Sequence, residues 1–265
     1  MEAIESEVMK DDVLAIIQAR ICATRLPGKV LMPLAGKSVL EHVIMRIKRS
    51  EKVSGVIVAT STKEDDIKIV EFCEKLNVRT FRGSEEDVLD RFYQASRLLK
   101  PAHVVRITAD CPMIDPKIIN EIVLKHLKNG SDYTSNTIEP TYPDGEDVEV
   151  FKMSALEKAW KSAKLSSERE HVTPYVKNNP QIFKLLNITY KVNLSEKRWT
   201  LDEKIDYEFL KEIFDNLYSL NPFFSMEDIL RFLEKNPRIE CINSVITRNE
   251  GYQKSLKNDR VVKNG

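Results

Sequence analysis

The sequence predicts an α/β fold with a mostly parallel sheet. Short apolar runs alternate with amphipathic helical patterns through the first half of the 265-residue chain. Strands separated by single helices form βαβ units, in which neighbouring strands run parallel. Hydrophobic residues make up 42% of the chain and charged residues 31%, which supplies a sizeable core and excludes a disordered protein.

The elements of the first half follow from periodicity and from helix-end signals. The predicted strands are 13–18, 55–60, 78–81 and 103–108, and the predicted helices are 38–49, 64–76, 84–99 and 115–130. Ser84 is predicted to cap a helix, with Asp87 at its third position as a variant capping box. Asp115 is predicted to cap the next helix, with Pro116 at its first position and Gly130 past its end.

The second half of the chain is less regular. Strands are predicted at 147–152 and 182–190, and helices at 154–163, 167–179, 203–220 and 225–236. From Asn243 onward the sequence is polar and weakly patterned. We therefore divide the chain into a tail (1–12), one domain (13–242) and a C-terminal extension (243–265).

Composition excludes several classes of protein. Lys plus Arg and Asp plus Glu number 41 each, and this balance argues against a nucleic-acid-binding protein, which is normally basic. The cysteines are too widely spaced for a CxxC zinc or redox site. The chain has no apolar run of the ~18 residues that suggest a membrane span, and its acidic start lacks a signal-peptide core. We expect a cytoplasmic protein that binds neither nucleic acid nor membrane.

Four cations lie in the loop between the first strand and the first helix. They are Arg20, Arg25, Lys29 and Lys37, and the first three are the candidate phosphate ligands. Loop amides and the following helix dipole can bind an anion there, and each cation could reach a different part of a triphosphate. The spacing is neither that of a P-loop nor GxGxxG. A solvated basic loop is the competing interpretation, and the residues alone leave the two evenly balanced.

Two carboxylates follow apolar stretches and precede helices. Asp110 comes directly after the strand at 103–108, at the carboxyl edge where α/β proteins bind ligands. Asp202 lies in "RWTLDE" and could instead cap the following helix. Mg²⁺ usually takes only one or two carboxylates from the protein. Asp110 and Asp202 could therefore converge on one metal ion.

At this point the motifs resemble those of a known family. The chain contains "QARxxxTRLPGKVL", "GSEEDVLDRFYQA", "VVRITADCPMID", "YPDGEDVEVF", "SEREHVTPY", "RWTLDE" and "RNEGYQKSL" between residues 13 and 257. It is similar to the SpsF-like cytidylyltransferases of spore coat polysaccharide biosynthesis, which are related to the CMP-Kdo and CMP-sialic acid synthetases. The resemblance implies a Rossmann-like nucleotidyltransferase domain of the GT-A type, a three-layer α/β/α fold with a small β excursion.

The resemblance also implies roles for individual residues. Arg20, Arg25 and Lys29 match the cations that bind the triphosphate of CTP, and Asp110 and Asp202 match the ligands of Mg²⁺. Lys29, Arg20 and Asp110 are the expected catalytic residues.

The expected nucleoside contacts lie in a second segment. Arg82, Gly83, Ser84 and Asp87 lie where relatives hold the base and ribose. Ala23 completes the expected nucleotide site. Relatives usually carry Gly-Ser where this chain has Cys22-Ala23. Cys22 could be a reactive thiol, because nearby cations lower a thiol pKa, although a small residue that simply fits is the simpler interpretation.

The acceptor is expected to bind two further motifs. The acids of the first are Asp144, Glu146, Asp147 and Glu149. They could accept hydrogen bonds from sugar hydroxyls. Alternatively, Asp144 and Gly145 form a turn and the other acids lie on the solvent-exposed face of an edge strand. In the second motif, Arg169 and His171 could hold an acceptor carboxylate or phosphate.

The expected function is transfer of CMP from CTP to a sugar acid or a related small acceptor, with release of pyrophosphate, for surface or spore-coat polysaccharide. The alternatives are a GT-A glycosyltransferase that uses a nucleotide sugar and an inactive nucleotide-binding scaffold. A homodimer is expected, with Phe223, Phe224 and Ile229 as candidate contacts.

Overall fold

In the computed structural model, the described residues are 12–246, 248 and 250–262. The strands, in chain order, are β1 (Val13–Gln18), β2 (Pro33–Leu34), β3 (Lys37–Ser38), β4 (Gly55–Ser61), β5 (Arg79–Gly83), β6 (His103–Thr108), β7 (Tyr133–Ser135), β8 (Glu149–Lys152) and β9 (Leu185–Asn187). The helices are α1 (Val39–Lys48), α2 (Ile67–Lys75), α3 (Val88–Leu99), α4 (Pro116–Asn129), α5 (Met153–Ser162), α6 (Ser166–His171), α7 (Pro174–Lys177), α8 (Lys204–Leu217), α9 (Met226–Lys235), α10 (Pro237–Glu240) and α11 (Glu250–Lys257). Single 3-10 turns cover Lys29–Leu31 and Glu64–Asp66.

The main sheet is mostly parallel, as predicted. Within the described residues it has the strand order β5-β4-β1-β6-β8-β7-β9. Strands β5, β4, β1 and β6 pair in parallel, whereas β8 runs antiparallel to both β6 and β7. The four parallel strands therefore end at one edge of the sheet, where the loops after Gln18, Ser61, Gly83 and Thr108 meet.

The alternation of β1 side chains builds two cores. Val13, Ala15 and Ile17 join the core that contains buried residues of α1, α4, α8 and α9. Leu14 and Ile16 join the opposite core, which contains buried residues of α3 and α5. Because side chains of a strand point to alternate faces, an unbroken apolar run such as "VLAIIQ" is what a strand covered on both faces requires. The predicted three-layer α/β/α fold is confirmed.

Some predicted elements have different ends. Helix α3 begins at Val88 rather than at residue 84, because Asp87 is its N-cap and accepts a hydrogen bond from the Asp90 amide at 2.8 Å. Ser84 instead accepts from the Asp87 amide at 3.0 Å, one turn earlier. The helix predicted at 167–179 is divided into α6 and α7 at Val172, whose φ is 72°.

The suggested dimer contacts near α9 are wrong for two of three residues. Phe224 and Ile229 are buried in the core of this chain, so neither can face a second subunit. The guanidinium carbon of Arg49 lies 4.4 Å from the ring centre of Phe223.

Among the described residues, no helix has the length and apolarity needed to cross a membrane. Residues 1–11 of the predicted tail lie outside the described part of the chain, as do 247, 249 and 263–265 of the predicted extension. The division at residues 12 and 242 stays a prediction.

Candidate active site

The loop after β1 is fixed by backbone hydrogen bonds and by one buried carboxylate. The amides of Ala23 and Gly28 both donate to the Ile21 carbonyl, at 2.8 Å each. The Ile21 amide donates to Asp66 Oδ1 at 2.7 Å, and Asp66, which is 1% exposed, also accepts from the Ser61 amide and hydroxyl. The loop that carries the predicted phosphate-binding cations is thus anchored to the neighbouring crossover between β4 and α2.

Lys29 is the point on which the two predicted metal ligands converge. Its ammonium donates to Asp110 Oδ2 at 2.6 Å, to Asp202 Oδ1 at 2.7 Å and to the Leu201 carbonyl at 2.7 Å. The residue is only 7% exposed. Residues that are more than 80 positions apart in the sequence therefore meet at one nitrogen.

A backbone contact explains why these carboxylates meet. The Leu201 amide donates to the Asp110 carbonyl at 2.9 Å, which joins the loop after β6 to the segment before α8. Burial by itself would raise the pKa of Asp110, but the ammonium of Lys29 outweighs this and holds that pKa at about 2. Burial likewise acts to lower the pKa of Lys29, and the two carboxylates raise it above its ordinary value. Asp110 and Lys29 are therefore both charged at neutral pH.

Arg25 and Arg20, the other two predicted phosphate-binding cations of the loop, differ in their partners. Arg25 forms ion pairs with Asp202 at 2.8 Å and Glu203 at 3.3 Å, and lies 3.8 Å from Glu250. Within the described residues, the guanidinium of Arg20 has no ion pair or hydrogen bond. Arg20 is therefore free to receive an anion, whereas Arg25 would exchange a carboxylate for one.

Arg198 is a functional candidate that the sequence analysis missed. Its guanidinium contacts Asp206 at 2.8 Å, Asp202 at 3.3 Å and Asp144 at 3.4 Å. Burial acts to lower the pKa of Arg198, but its bond to Asp206 and the surrounding carboxylates raise it. Arg198 fixes the orientation of Asp202. The sequence signal for it is its place at the start of the motif "RWTLDE", which also contains Asp202.

Two cavities that share lining residues open at this edge of the sheet. The smaller, of about 410 Å³, is lined by Lys29, Asp110 and Asp202 together with Arg20, Ala23 and Arg25. The larger, of about 1090 Å³, lies beside the N-terminal end of α3 and is lined by residues that include Ser84, Asp87 and Arg169. Arg20 lines both cavities. The structure thus brings together most of the predicted nucleotide contacts.

Asp87 and Arg169 form an ion pair beside the larger cavity. Arg169 donates from Nε to both carboxylate oxygens of Asp87, and from Nη1 to the Trp160 carbonyl at 2.6 Å. Asp87 also caps α3. These bonds join α3 to α6, and both residues also line the larger cavity, so the roles of Asp87 in the nucleotide site and of Arg169 in holding an acceptor anion stay predictions.

Arg82 and Gly83 shape the rim of the site. The Arg82 guanidinium donates to the carbonyls of Ser61 and Lys63, at 3.1 and 2.9 Å, so it fixes the loop after β4, and its predicted contact with the base stays a prediction. A Cβ on Gly83 would lie 2.9 Å from the Phe81 ring and 3.0 Å from the Arg91 side chain. Glycine is required at position 83 by this close approach.

Glu146 is a core residue and not a substrate contact. It is 0% exposed and its Oε2 accepts a hydrogen bond from the Asp115 amide at 2.8 Å. Burial, together with the charge of Asp115, raises the pKa of Glu146 well above its ordinary value. Its predicted contact with a sugar hydroxyl is therefore corrected, because no surface of the side chain is available.

Glu149 is likewise committed to internal partners. Tyr133 and Thr173 donate to its Oε1, Lys177 lies 3.0 Å from the same oxygen, and Arg106 pairs with Oε2. Burial would raise the pKa of Glu149, but the two cations lower it. The acid that was predicted to face the acceptor instead ties β8 to β6 and β7.

The remaining predicted acceptor residues lie nearer the surface. Asp147 pairs with Arg248. The Nε2 of His171 lies 2.9 Å from the Ser255 hydroxyl. Burial and the charge of Asp147 raise the pKa of Asp144 to about 7, against the opposing effect of Arg248 and Arg198. Asp144 is thus a carboxyl group that can exchange a proton near neutral pH.

Cys22 does not have the surroundings of a reactive thiol. Its sulfur lies 3.6 Å from Asp65 Oδ2. Local desolvation and the carboxylates of Asp65 and Asp66 raise the pKa of the Cys22 thiol. Desolvation and the nearby acids, and not the loop cations, shift the pKa of this thiol.

The sequence model of a family described as Cytidylyltransferase matches residues 14–239. The chain belongs to the cytidylyltransferase family. The resemblance drawn from the sequence motifs is thereby confirmed, and this cytidylyltransferase is a nucleotidyltransferase that uses CTP.

Two relatives and one solved structure match this cytidylyltransferase over nearly their whole lengths. An uncharacterized protein of Methanocaldococcus jannaschii is 42% identical over 91% of this chain and 98% of its own length. The spore coat polysaccharide biosynthesis protein SpsF of Bacillus subtilis is 34% identical over 86% of this chain and 96% of its own. The solved structure of a cytidylyltransferase from Leptospira borgpetersenii is 34% identical and has a TM-score of 0.82, with 91% of this chain and all of that one covered.

Proposed function

We propose that this cytidylyltransferase transfers CMP from CTP to a hydroxyl group of a sugar acid or a related small acceptor, releasing pyrophosphate. The observation that carries the proposal is the meeting of Lys29, Asp110 and Asp202 in a cavity that Arg20 and Arg25 also line. Similarity to SpsF supports an acceptor that enters spore-coat or another surface polysaccharide.

The chain's own residues would act mainly by position and charge. An acceptor oxygen attacks the α-phosphorus, and the bond to the pyrophosphate oxygen breaks. Little covalent chemistry falls to the protein, which must hold the reacting groups in line and offset the charge on the phosphate oxygens. Lys29 and Arg20 are assigned to offset the negative charge on the phosphate oxygens. Arg25 is assigned to the outer phosphates, for which a guanidinium fork is well suited.

Asp110 and Asp202 fit a divalent cation such as Mg²⁺. Their oxygens already converge on one positive charge, the ammonium of Lys29, and hard oxygen ligands are those that Mg²⁺ prefers. Among the described residues, no group of three or more His, Cys, Asp or Glu is arranged to hold a metal. Two carboxylates suffice when phosphates complete the shell, and the bound cation would neutralise phosphate charge.

The nucleoside and the acceptor are assigned to different parts of the site. Ala23 and Ser84 line the cavities and, with the backbone at Gly83, are assigned to the nucleotide. Asp144, Asp147 and His171 are assigned to the acceptor side. The homodimer and the cytoplasmic location stay predictions.

An assay of pyrophosphate release tests the proposed reaction. The protein is incubated with Mg²⁺, with each of the four nucleoside triphosphates in turn, and with a panel of sugar acids. Acceptor-dependent pyrophosphate from CTP is expected. A glycosyltransferase would instead consume a nucleotide sugar and release a nucleoside phosphate, and an inactive scaffold would bind CTP without turnover. Either result would overturn the proposal.

A further inference from the structure

The described C-terminal residues form a wall of the active site. Helix α11 and the residues after it, up to residue 262, lie outside the matched family region of 14–239. Gly251, Lys254 and Ser255 nevertheless line the same cavity as Lys29 and Asp110. The motif "RNEGYQKSL", to which the sequence analysis assigned no role, therefore contributes to the site; its Asn249 lies outside the described residues.

Specific hydrogen bonds hold this wall in place. Asp259 accepts from the Ser167 amide at 2.9 Å and from the hydroxyls of Ser166 and Ser167. Leu165 and Val261 form an isolated antiparallel bridge, so the chain beyond α11 pairs with the segment before α6. These contacts fix the far end of the wall to the body of the protein.

A second set of contacts orients α11 itself. The Ser255 hydroxyl donates to Glu170 Oε2 at 2.9 Å and lies 2.9 Å from His171 Nε2. The rings of His171 and Tyr252 meet edge-on, with their centres 5.0 Å apart. The neighbour of Ser255 in the sequence, Lys254, is thereby placed at the junction of the two cavities.

Two cations line both cavities, and neither is neutralised. They are Arg20 and Lys254. Within the part of the chain that the structure describes, neither side chain forms an ion pair, whereas Arg25 and Lys29 are both bound to carboxylates. Glu170 is the carboxylate at this junction, and it already accepts a hydrogen bond from Ser255. The junction therefore holds two cations against one carboxylate, and this excess of positive charge favours an anion.

We propose that Lys254, with Arg20, binds a phosphate group of the nucleotide at the junction of the two cavities. This inference rests on the proposed function in taking CTP as the ligand. A phosphate oxygen accepts strong hydrogen bonds from both an ammonium and a guanidinium. Lys254 is solvent-exposed, so its contribution is of the size of an exposed charge pair and falls as salt screens it.

The test compares Lys254→Met with Lys257→Met in the full chain. Lys257 lies on the same helix, is exposed and lines neither cavity, so its variant is a matched control. Binding of CTP, CMP and cytidine is measured by calorimetric titration at low and high salt. We expect Lys254→Met to weaken CTP binding by about fivefold, as for an exposed charge contact, with a smaller effect at high salt, and Lys257→Met to bind CTP like the wild type.

Comparison of CTP with CMP and cytidine, which carry one phosphate and none, shows which phosphate Lys254 contacts. Cytidine should bind both variants equally, because it carries no phosphate. A loss for CMP as well as for CTP identifies the inner phosphate, and a loss for CTP alone identifies the outer ones. Unchanged CTP binding by Lys254→Met, or an equal loss for cytidine, would overturn the inference. Wild-type protein that fails to bind CTP would instead overturn the proposed function.

Discussion

At the scale of single residues, Lys29 has the most consequential contacts in the site. An ammonium has three N–H donors, and in Lys29 all three are used by Asp110, Asp202 and the Leu201 carbonyl. The ammonium therefore stands between the carboxylates to which we assign the metal. To contact a phosphate, Lys29 must give up one of these bonds.

Lys29→Met should tighten the binding of a divalent cation to the nucleotide-free protein. Methionine has a similar length but no charge, so it no longer competes for Asp110 and Asp202. We expect about a tenfold gain in affinity for Mn²⁺, because a like charge at contact distance no longer opposes the ion, measured by electron paramagnetic resonance of the free ion. The double variant Lys29→Met with Asp110→Asn should lose that gain, and equal affinity in wild type and Lys29→Met would contradict the assignment.

Neutralising either carboxylate should abolish most of the turnover. We expect Asp110→Asn and Asp202→Asn each to lower kcat for pyrophosphate release by about a hundredfold, the usual cost of removing one group that stabilises transition-state charge. Asp215→Asn is the control, because Asp215 is exposed and its ion pair among the described residues is with Lys211, one turn earlier in α8. Wild-type rates in either site variant, with unchanged thermal unfolding, would show that the carboxylates have another role.

At the scale of elements, the site depends on how closely the segment before α8 is packed. Gly145 has a φ of 114°, and a Cβ there would lie 2.7 Å from the Trp199 carbonyl carbon and 2.8 Å from its oxygen. The Trp199 amide in turn donates to the Asp144 carbonyl at 2.6 Å. The glycine at 145 allows its segment to pack closely against Trp199, and this packing positions the segment that carries Asp202.

Gly145→Ala should therefore destabilise the protein more than an ordinary glycine replacement. Backbone strain and overpacking each cost roughly 1–3 kcal/mol, so we expect a loss of about 2–5 kcal/mol in urea unfolding. Gly130→Ala is the matched control, because Gly130 also has a positive φ, 62°, but no atom lies within 4 Å of its added Cβ. Equal losses in the two variants would mean that the contact with Trp199 contributes nothing.

The local sequence pattern predicted most helices and strands and the residues at the centre of the site. It did not predict the hydrogen bonds that join these residues to distant segments. The strand at 103–108 has its predicted bounds and places Asp110 at the carboxyl edge of the sheet, whereas Asp202 is brought there by the hydrogen bond from the Leu201 amide to the Asp110 carbonyl. Strand β7 has three residues, too few to show a period. The anchoring bonds from Asp66 and Leu201 involve backbone groups, which carry no sequence signal.

At the scale of the whole molecule, charges that look exposed in the sequence are paired across long separations. The acids at 144–149 were compatible with a wet strand face, yet Glu149 pairs with Arg106 and Asp147 with Arg248. These partners lie 43 and 101 positions away, so no local pattern reveals them. Buried titratable groups make the stability of the fold depend on pH in opposing ways.

His42 provides a separable part of that dependence. It packs against the rings of Phe214 and Tyr218, and its Nε2 lies 2.7 Å from the Leu34 carbonyl. Burial lowers the pKa of His42 from 6.5 to about 4, and the charge of Arg46 adds to this effect. The unfolded chain therefore binds a proton at His42 between these pH values and the folded protein does not.

Stability contributed by neutral His42 is present above pH 6.5 and is lost as the pH falls toward 4. Asp144, whose pKa is raised to about 7, acts in the opposite direction, so the net slope of the wild type mixes both groups. We therefore compare wild type with His42→Gln by urea unfolding at pH 7 and pH 5. Because glutamine does not titrate, the wild type should lose about 2 kcal/mol more than the variant over this interval. Parallel losses would mean that His42 is protonated in the folded protein, and that the core between α1 and α8 admits a charge.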